Sequence, residues 1–259
     1  MIYKSYASAV VLGFPIKNRE NPYIALPIEK VRLDVDLEVC KKPFISAPNF
    51  PSPVYERLSH YWEELSRGLK EEYCAAVDLL DPYRGPPSGL YAISSSILLY
   101  ALGKESGETL EVDDIIELSE LADGIRDPSW RGVMSAMRCS SLNGRPCVYR
   151  RRDEKTIFSD FSLPLTYKGS VSLREILDKD YVGENVYGAI TRLIGLSVLE
   201  ASIRLAEGND FLGVFSQYRR ITDSVSYALY NIFPKGKCFY VPGFPYEAEA
   251  LCEEDKNNE

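Results

Sequence analysis

Between Val31 and Val39 the chain alternates without a break: Val31, Leu33, Val35, Leu37 and Val39 against Arg32, Asp34, Asp36 and Glu38. A period of two puts one set on each face of a pleated strand, so this segment needs a sheet that is buried on one side and wet on the other. Helices must supply the cover. Val54 to Lys70 has helical spacing through Leu58, Trp62, Leu65 and Leu69. The run Val186, Ile190, Leu193, Leu196, Leu199 and Ile203 recurs at steps of three and four, predicting a long helix that ends near Gly208 with this stripe turned inward. Strands and helices mixed in this way give an α+β fold.

Further strands are predicted at Tyr3 to Gly13, Tyr23 to Ile28, Tyr73 to Leu80, Cys147 to Arg150, Ile157 to Tyr167 and Lys237 to Val241, and a helix at Phe211 to Tyr230. Pro43, Pro48, Pro51 and Pro53 make their segment a loop or edge crossing, because proline interrupts both ladders. Asp114 and Glu117 have the spacing of a capping box, with Ile115, Leu118 and Leu121 as the inward set of that helix. Gly124 suits the left-handed residue that ends it. Pro128 suits the first turn of the next helix, Ser129 to Arg138, with Asp127 at its N-terminus.

The formal charge of -8 disfavours nonspecific nucleic-acid binding. One basic block, Arg145, Arg150, Arg151, Arg152 and Lys155, interrupted by Asp153 and Glu154, is suited to a phosphorylated small molecule. Excess acid gathers in the tail at Glu247, Glu249, Glu253, Glu254, Asp255 and Glu259, and disorder is expected only at this end. The six cysteines form no Cys-x-x-Cys pair, and His60 is the single histidine, an arrangement poor for zinc. Reduced thiols in a cytoplasmic protein are the simplest reading; the even count also allows disulfides, as in a hyperthermophile's cytosol. No run reaches the roughly 18 to 20 uncharged apolar residues of a membrane span, so no membrane partner is expected. His60 lies off its helix's apolar stripe and reads as a surface or packing residue.

The stretch Pro87-Ser88-Gly89-Leu90-Tyr91-Ala92-Ile93-Ser94-Ser95-Ser96 leads into the apolar run Ile97 to Leu102. Its first residues favour a turn and its serines an N-cap, and a helix N-terminus is where a phosphate would sit. An ordinary loop capping an ordinary helix explains the same residues.

With these pieces in order the chain resembles the GHMP kinases, the superfamily of galactokinase, homoserine kinase, mevalonate kinase and phosphomevalonate kinase, which also includes archaeal-type shikimate kinase. The family's phosphate loop, Pro-x-x-x-Gly-Leu-Gly-Ser-Ser-Ala, placed on Pro87 to Ser96 puts Tyr91 and Ile93 at the two loop glycines and Ser94 and Ser95 at the paired serines. A second placement anchors on Gly89-Leu90. Gly124-Ile125-Arg126-Asp127 looks like the family's Gly-x-x-Asp segment, and Gly236 to Gly243 covers its third, C-terminal motif, of which only Gly236 and Gly243 remain as glycines. The resemblance implies a two-part fold: residues 1–156 like domain 2 of ribosomal protein S5 and carrying the nucleotide site, and residues 157–259 ferredoxin-like. It implies a kinase moving the ATP γ-phosphate to a hydroxyl of a small-molecule metabolite. Asp127 would be the catalytic residue, with Arg126 beside it as a phosphate or carboxylate contact. Gly89, Ser94, Ser95, Ser96 and Gly236 would bind ATP, and Ser94 would reach Mg2+. Two alternatives accompany it: a non-catalytic homologue that binds a ligand or serves in assembly, since Tyr91 and Ile93 fill space used by a triphosphate, and a phosphorylation-coupled decarboxylase. A homodimer is compatible with the apolar helices.

Overall fold

The structure, a computed structural model, describes residues 1–67, 69, 71–150, 156–157, 164–174 and 179–253. Its frame is the antiparallel pair β1 (Ile2–Leu12) and β2 (Tyr23–Val39). The strands expected at Tyr23 to Ile28 and Val31 to Val39 are one strand, because no turn residue separates them. The ladder slips opposite Pro27, which has no N–H to offer, where Ala7 faces Glu29 and Ser8 faces Pro27, and again between Val10, which faces Ala25, and Leu12, which faces Ile24. The other edge of β2 pairs with β4 (Tyr73–Leu79) through Leu33–Val39 and with β5 (Cys147–Tyr149) through Tyr23–Ala25. The short β3 (Ile45–Ser46) joins β4 in parallel, and β6 (Thr156–Ile157) joins β5. Val31, Leu33 and Val35 are buried as their alternation requires, whereas Val39 ends in water.

One face of the β1–β2 pair is covered by α2 (Pro87–Glu105) and α4 (Pro128–Asn143), with α1 (Ser52–Ser66) and α3 (Val112–Ala122) beyond them. A second sheet, in the order β7 (Leu165–Ser172), β9 (Glu247–Glu253), β8 (Cys238–Pro242), packs with α5 (Lys179–Ala206) and α6 (Phe211–Tyr230). Ala7 and Val10 belong to one apolar cluster and Ala9 and Val11 to another, which includes Val198, Phe211 and Phe215; the upper half of β1 is therefore buried on both faces. The larger cluster joins Phe14, Tyr23 and Trp130 to Val225, Leu229 and Phe244, so the two sheets share a core.

Several expectations are corrected. Helix α2 begins at Pro87, with Pro86 at the N-cap and no side-chain cap, so the serines are helix interior rather than a cap. Proline is preorganised for a first turn, and this helix is buried around its circumference from Ser88 to Leu99. The capping box of α3 lies three residues earlier, between Glu111 and Asp114, and its inward set is Ile115, Ile116 and Ala122, with Leu118 and Leu121 exposed. Of the stripe predicted to face inward on α5, Ile190 packs against the core but Val186, Leu193, Leu196, Leu199 and Ile203 face outward; Tyr187, Ile194, Val198, Ala201 and Leu205 are the buried set. The start of the acidic tail is β9, the central strand of the second sheet, and Glu249 within it is buried. Glu254, Asp255 and Glu259, the block from Arg151 to Lys155, and the middle of the strand expected from Ile157 to Tyr167 lie outside the described residues.

The cysteines are not reduced thiols: Cys40–Cys74, Cys139–Cys147 and Cys238–Cys252 are disulfides. The first joins residues 34 apart in sequence, from the end of β2 to the start of β4. Closing such a loop removes disorder from the unfolded chain and is worth about 2–4 kcal/mol. Reduction of all three is expected to lower Tm by at least roughly 10 °C for a chain of this size, measured by calorimetry with and without reductant; an unchanged Tm would contradict the pairing.

Candidate functional site

A cleft of about 520 Å³ opens where α1, α2, the α3–α4 turn and the β8–β9 hairpin meet. Asp127 is in its wall, placed there by local chemistry. Gly124, at φ 64°, turns the chain out of α3, and Pro128 starts α4. Asp127 then caps α4: its Oδ1 accepts from the Ser129 N–H at 2.9 Å, the Ser129 hydroxyl at 2.7 Å and the Asn18 N–H at 3.2 Å. Oδ2 is buried with no partner. Arg126 lines the same cleft and is exposed. The sequence expectation thus brings Asp127 and Arg126 together on one cavity.

Tyr91 also lines that cavity. Its hydroxyl donates to Asp123 Oδ1 at 2.6 Å, and burial, with Asp123 beside it, holds the phenol well above its ordinary pKa. Asp123 receives both ends of the Arg138 guanidinium, at 2.6 and 2.8 Å, and Arg138 also donates to Ser95 Oγ at 2.9 Å. A carboxylate at the C-terminal end of α3 opposes the helix dipole, and the buried Arg138 offsets it. One rigid cluster therefore fixes Tyr91 in the wall of the cleft.

The other proposed nucleotide contacts have structural partners. Gly89 lies so close to β1 that a Cβ there would be 2.3 Å from the Ser8 carbonyl oxygen; its absent side chain lets helix and strand touch. Ser94, Ser95 and Ser96 are fully buried. Ser95 and Ser96 donate to the Ala92 carbonyl, and Ser94 Oγ is enclosed without a partner, out of reach of a cation in solvent. Gly236 is at the far end of β8 from the cleft, lining a different cavity with Lys237 and Arg219. None of these five residues lines the Asp127 cleft.

At the start of α2 the free amide is already used. Ser88 N–H donates to Glu249 Oε1 at 2.9 Å and Ser88 Oγ to Oε2 at 2.6 Å. Burial pushes the Glu249 carboxyl up to about 7, against the two Ser88 hydrogen bonds that favour its charged form. Gly243 makes room for it, since a Cβ there would be 2.7 Å from the Glu249 side chain. A carboxylate of the chain's own thus sits at the helix N-terminus, where an incoming anion would bind.

Phe244, Pro245 and Tyr246 of the β8–β9 hairpin close one side of the cleft. The Arg57 guanidinium lies over the Phe244 ring at 4.1 Å, and Tyr246 packs on Trp130 with ring centroids 5.8 Å apart. Tyr246 is held at φ 65°, a conformation that costs a bulky residue of order 1–3 kcal/mol. Aromatic walls with Arg57, Arg126, Asp127 and His60 around them suit a small ligand with polar groups on an apolar body. Sequence reasoning missed Arg57, Tyr246 and Glu249. For Arg57 and Glu249 no local signal distinguishes them; Pro242-Gly243-Phe244-Pro245 was a readable turn whose place in the fold was not.

No protein-family model and no curated protein matches this sequence. Solved structures do match its fold. Phosphomevalonate kinase of Streptococcus pneumoniae, solved with phosphomevalonate and AMPPNP, superposes with a TM-score of 0.60 at 10% identity over 99% of this chain and 93% of that one. Mevalonate kinase from methicillin-resistant Staphylococcus aureus gives 0.54 at 16% identity, covering 98% and 90%. Mevalonate pyrophosphate decarboxylase of Streptococcus pyogenes gives 0.54 at 10%, covering 98% and 89%. At such identities the likeness establishes a shared α+β, two-lobed architecture.

Proposed function

We propose that this chain is a GHMP-fold protein that binds a small polar metabolite in the Asp127 cleft and has given up nucleotide chemistry. The supporting observation is Glu249 on the Ser88 amide and hydroxyl. A fold carries an activity only where its site does, and ATP with Mg2+ does not fit these residues: Tyr91 takes the space of a loop glycine, Ser94 is enclosed, and the helix N-terminus holds an internal carboxylate. In this reading the two sheets correspond to the two halves expected from the sequence, residues 1–156 of the ribosomal S5 domain 2 type and 157–259 ferredoxin-like, except that Ile157 pairs into the first sheet through β6. The setting is the cytoplasm of a cell whose proteins keep disulfides, as in hyperthermophiles.

One observation favours a second reading, a small-molecule kinase: Asp127 keeps an unpartnered Oδ2 beside the exposed Arg126. There Asp127 would orient a substrate hydroxyl and accept its proton, with Arg126 holding an anionic group of the substrate. The decarboxylase alternative shares this geometry and is separated by its carbon dioxide product.

Asp127→Asn tests both readings without removing the cap, because asparagine caps helices as well as aspartate does. In a thermal-shift and calorimetric screen of hydroxy acids and sugars, the ligand that binds wild type is expected to bind this variant about ten- to a hundredfold more weakly, the value of a hydrogen bond to a charged group. Equal affinity would remove Asp127 from the ligand site. Phosphorylated product from wild type with MgATP, lost in the variant, would favour the kinase.

A further inference from the structure

Helix α5 presents an apolar face to water. Val186, Leu193, Leu196, Leu199 and Ile203 are 42%, 51%, 65%, 37% and 57% exposed. From Leu193 to Ile203 their spacing of three and four is that of a buried stripe, yet the side of α5 that packs on α6 and the sheets is a different one, through Ile194, Val198, Ala201 and Leu205, with Ile190 half-buried against the core. The helix is therefore apolar on two sides and covered on one.

We propose that the outward stripe of α5 is the interface with a second copy of this chain, the two helices crossing antiparallel about a two-fold axis through Leu196. Such an axis sets Leu196 against its own copy and leaves Leu193 and Leu199 three residues to either side, a self-complementary arrangement. The area fits. Five side chains at these exposures leave on the order of 400 Å² of apolar surface in water, the size at which a patch on a monomer marks a contact site. That is about half of the roughly 800 Å² that each partner buries in a standard interface, with the rest falling to a polar rim. Arg192 and Glu200, exposed on the same face, supply that rim.

Charge favours a second copy over a lipid surface. From Gly183 to Ala206 the helix is long and apolar enough to cross a membrane, but its inner side is already committed to the core. A helix lying on a membrane carries excess lysine and arginine against anionic lipid. Here Arg192 and Arg204 are matched by Glu200 and Glu207, Arg204 is bonded to Glu200 at 3.1 Å, and the chain as a whole is at -8.

Sedimentation velocity of the full chain, from about 1 to 100 µM, tests this. Wild type is expected at the mass of two chains, and Leu196→Glu at the mass of one with an unchanged melting curve. Leu196→Ala, which risks nothing in folding at so exposed a position, is expected to weaken the dimer by on the order of tenfold or more. Wild type at one-chain mass throughout the range would overturn the proposal. So would two-chain mass for Leu196→Glu, and so would a wild-type monomer that floats with phosphatidylcholine vesicles.

Discussion

Asp123→Ala is expected to cost about 3–5 kcal/mol of folding stability. The side chains of Arg138 and Asp123 are 0% and 2% exposed, and the variant leaves a guanidinium in the interior with only Ser95 Oγ as a partner. The Arg138 charge does not escape by deprotonation, because a guanidinium stays protonated in proteins even when its partner is removed. Replacing both partners, Asp123→Asn with Arg138→Met, is expected to cost less than the single change, since it removes the unpaired charge along with the pair. The Tyr91 hydroxyl also loses its acceptor in Asp123→Ala, so ligand affinity in the cleft should fall with stability. Urea unfolding of the three proteins measures this, and a loss under about 1 kcal/mol for Asp123→Ala would show that the cluster does not hold the site.

Glu249 is expected to make the protein less stable at pH 8 than at pH 5. Its ordinary pKa is 4.5 and its folded value is about 7, so the folded state holds the proton more tightly than the unfolded one. The resulting stabilisation is fully present below about pH 4.5 and is lost as pH rises through about 7, amounting to roughly 2–3 kcal/mol. Glu249→Gln keeps an oxygen for the Ser88 amide and removes the ionisation. The difference in stability between wild type and variant should therefore change by that amount between pH 5 and 8, measured by denaturant unfolding at each pH. A constant difference would mean that the carboxyl does not titrate in this window.

Much of the fold was legible because its elements declare themselves locally. The alternation from Val31 to Val39 specifies a half-buried strand whatever lies around it, and Gly124, Asp127 and Pro128 are caps that act within one turn of chain. Asp127 and Arg126, expected to be catalytic from the family resemblance, line one cavity because the turn that carries them is fixed locally. The rest depends on contacts between distant segments. Gly89 reads as a phosphate-loop glycine until β1 is seen against it, and Glu249 reads as part of a solvated tail until β9 is placed between β7 and β8. Their partners, Ser8 and Ser88, lie 81 and 161 residues away. On α5 the period was read correctly and the direction was not, because a repeat of three and four does not say whether its own chain or another covers it.

The most direct test of the function proposed is calorimetric titration of the purified protein with ATP and Mg2+ at pH 8, where Glu249 is ionised on the start of α2. The expected result is no heat of binding and no shift in melting temperature. One-site binding would contradict it, and would mean that Tyr91 and Glu249 leave the helix N-terminus when a triphosphate arrives.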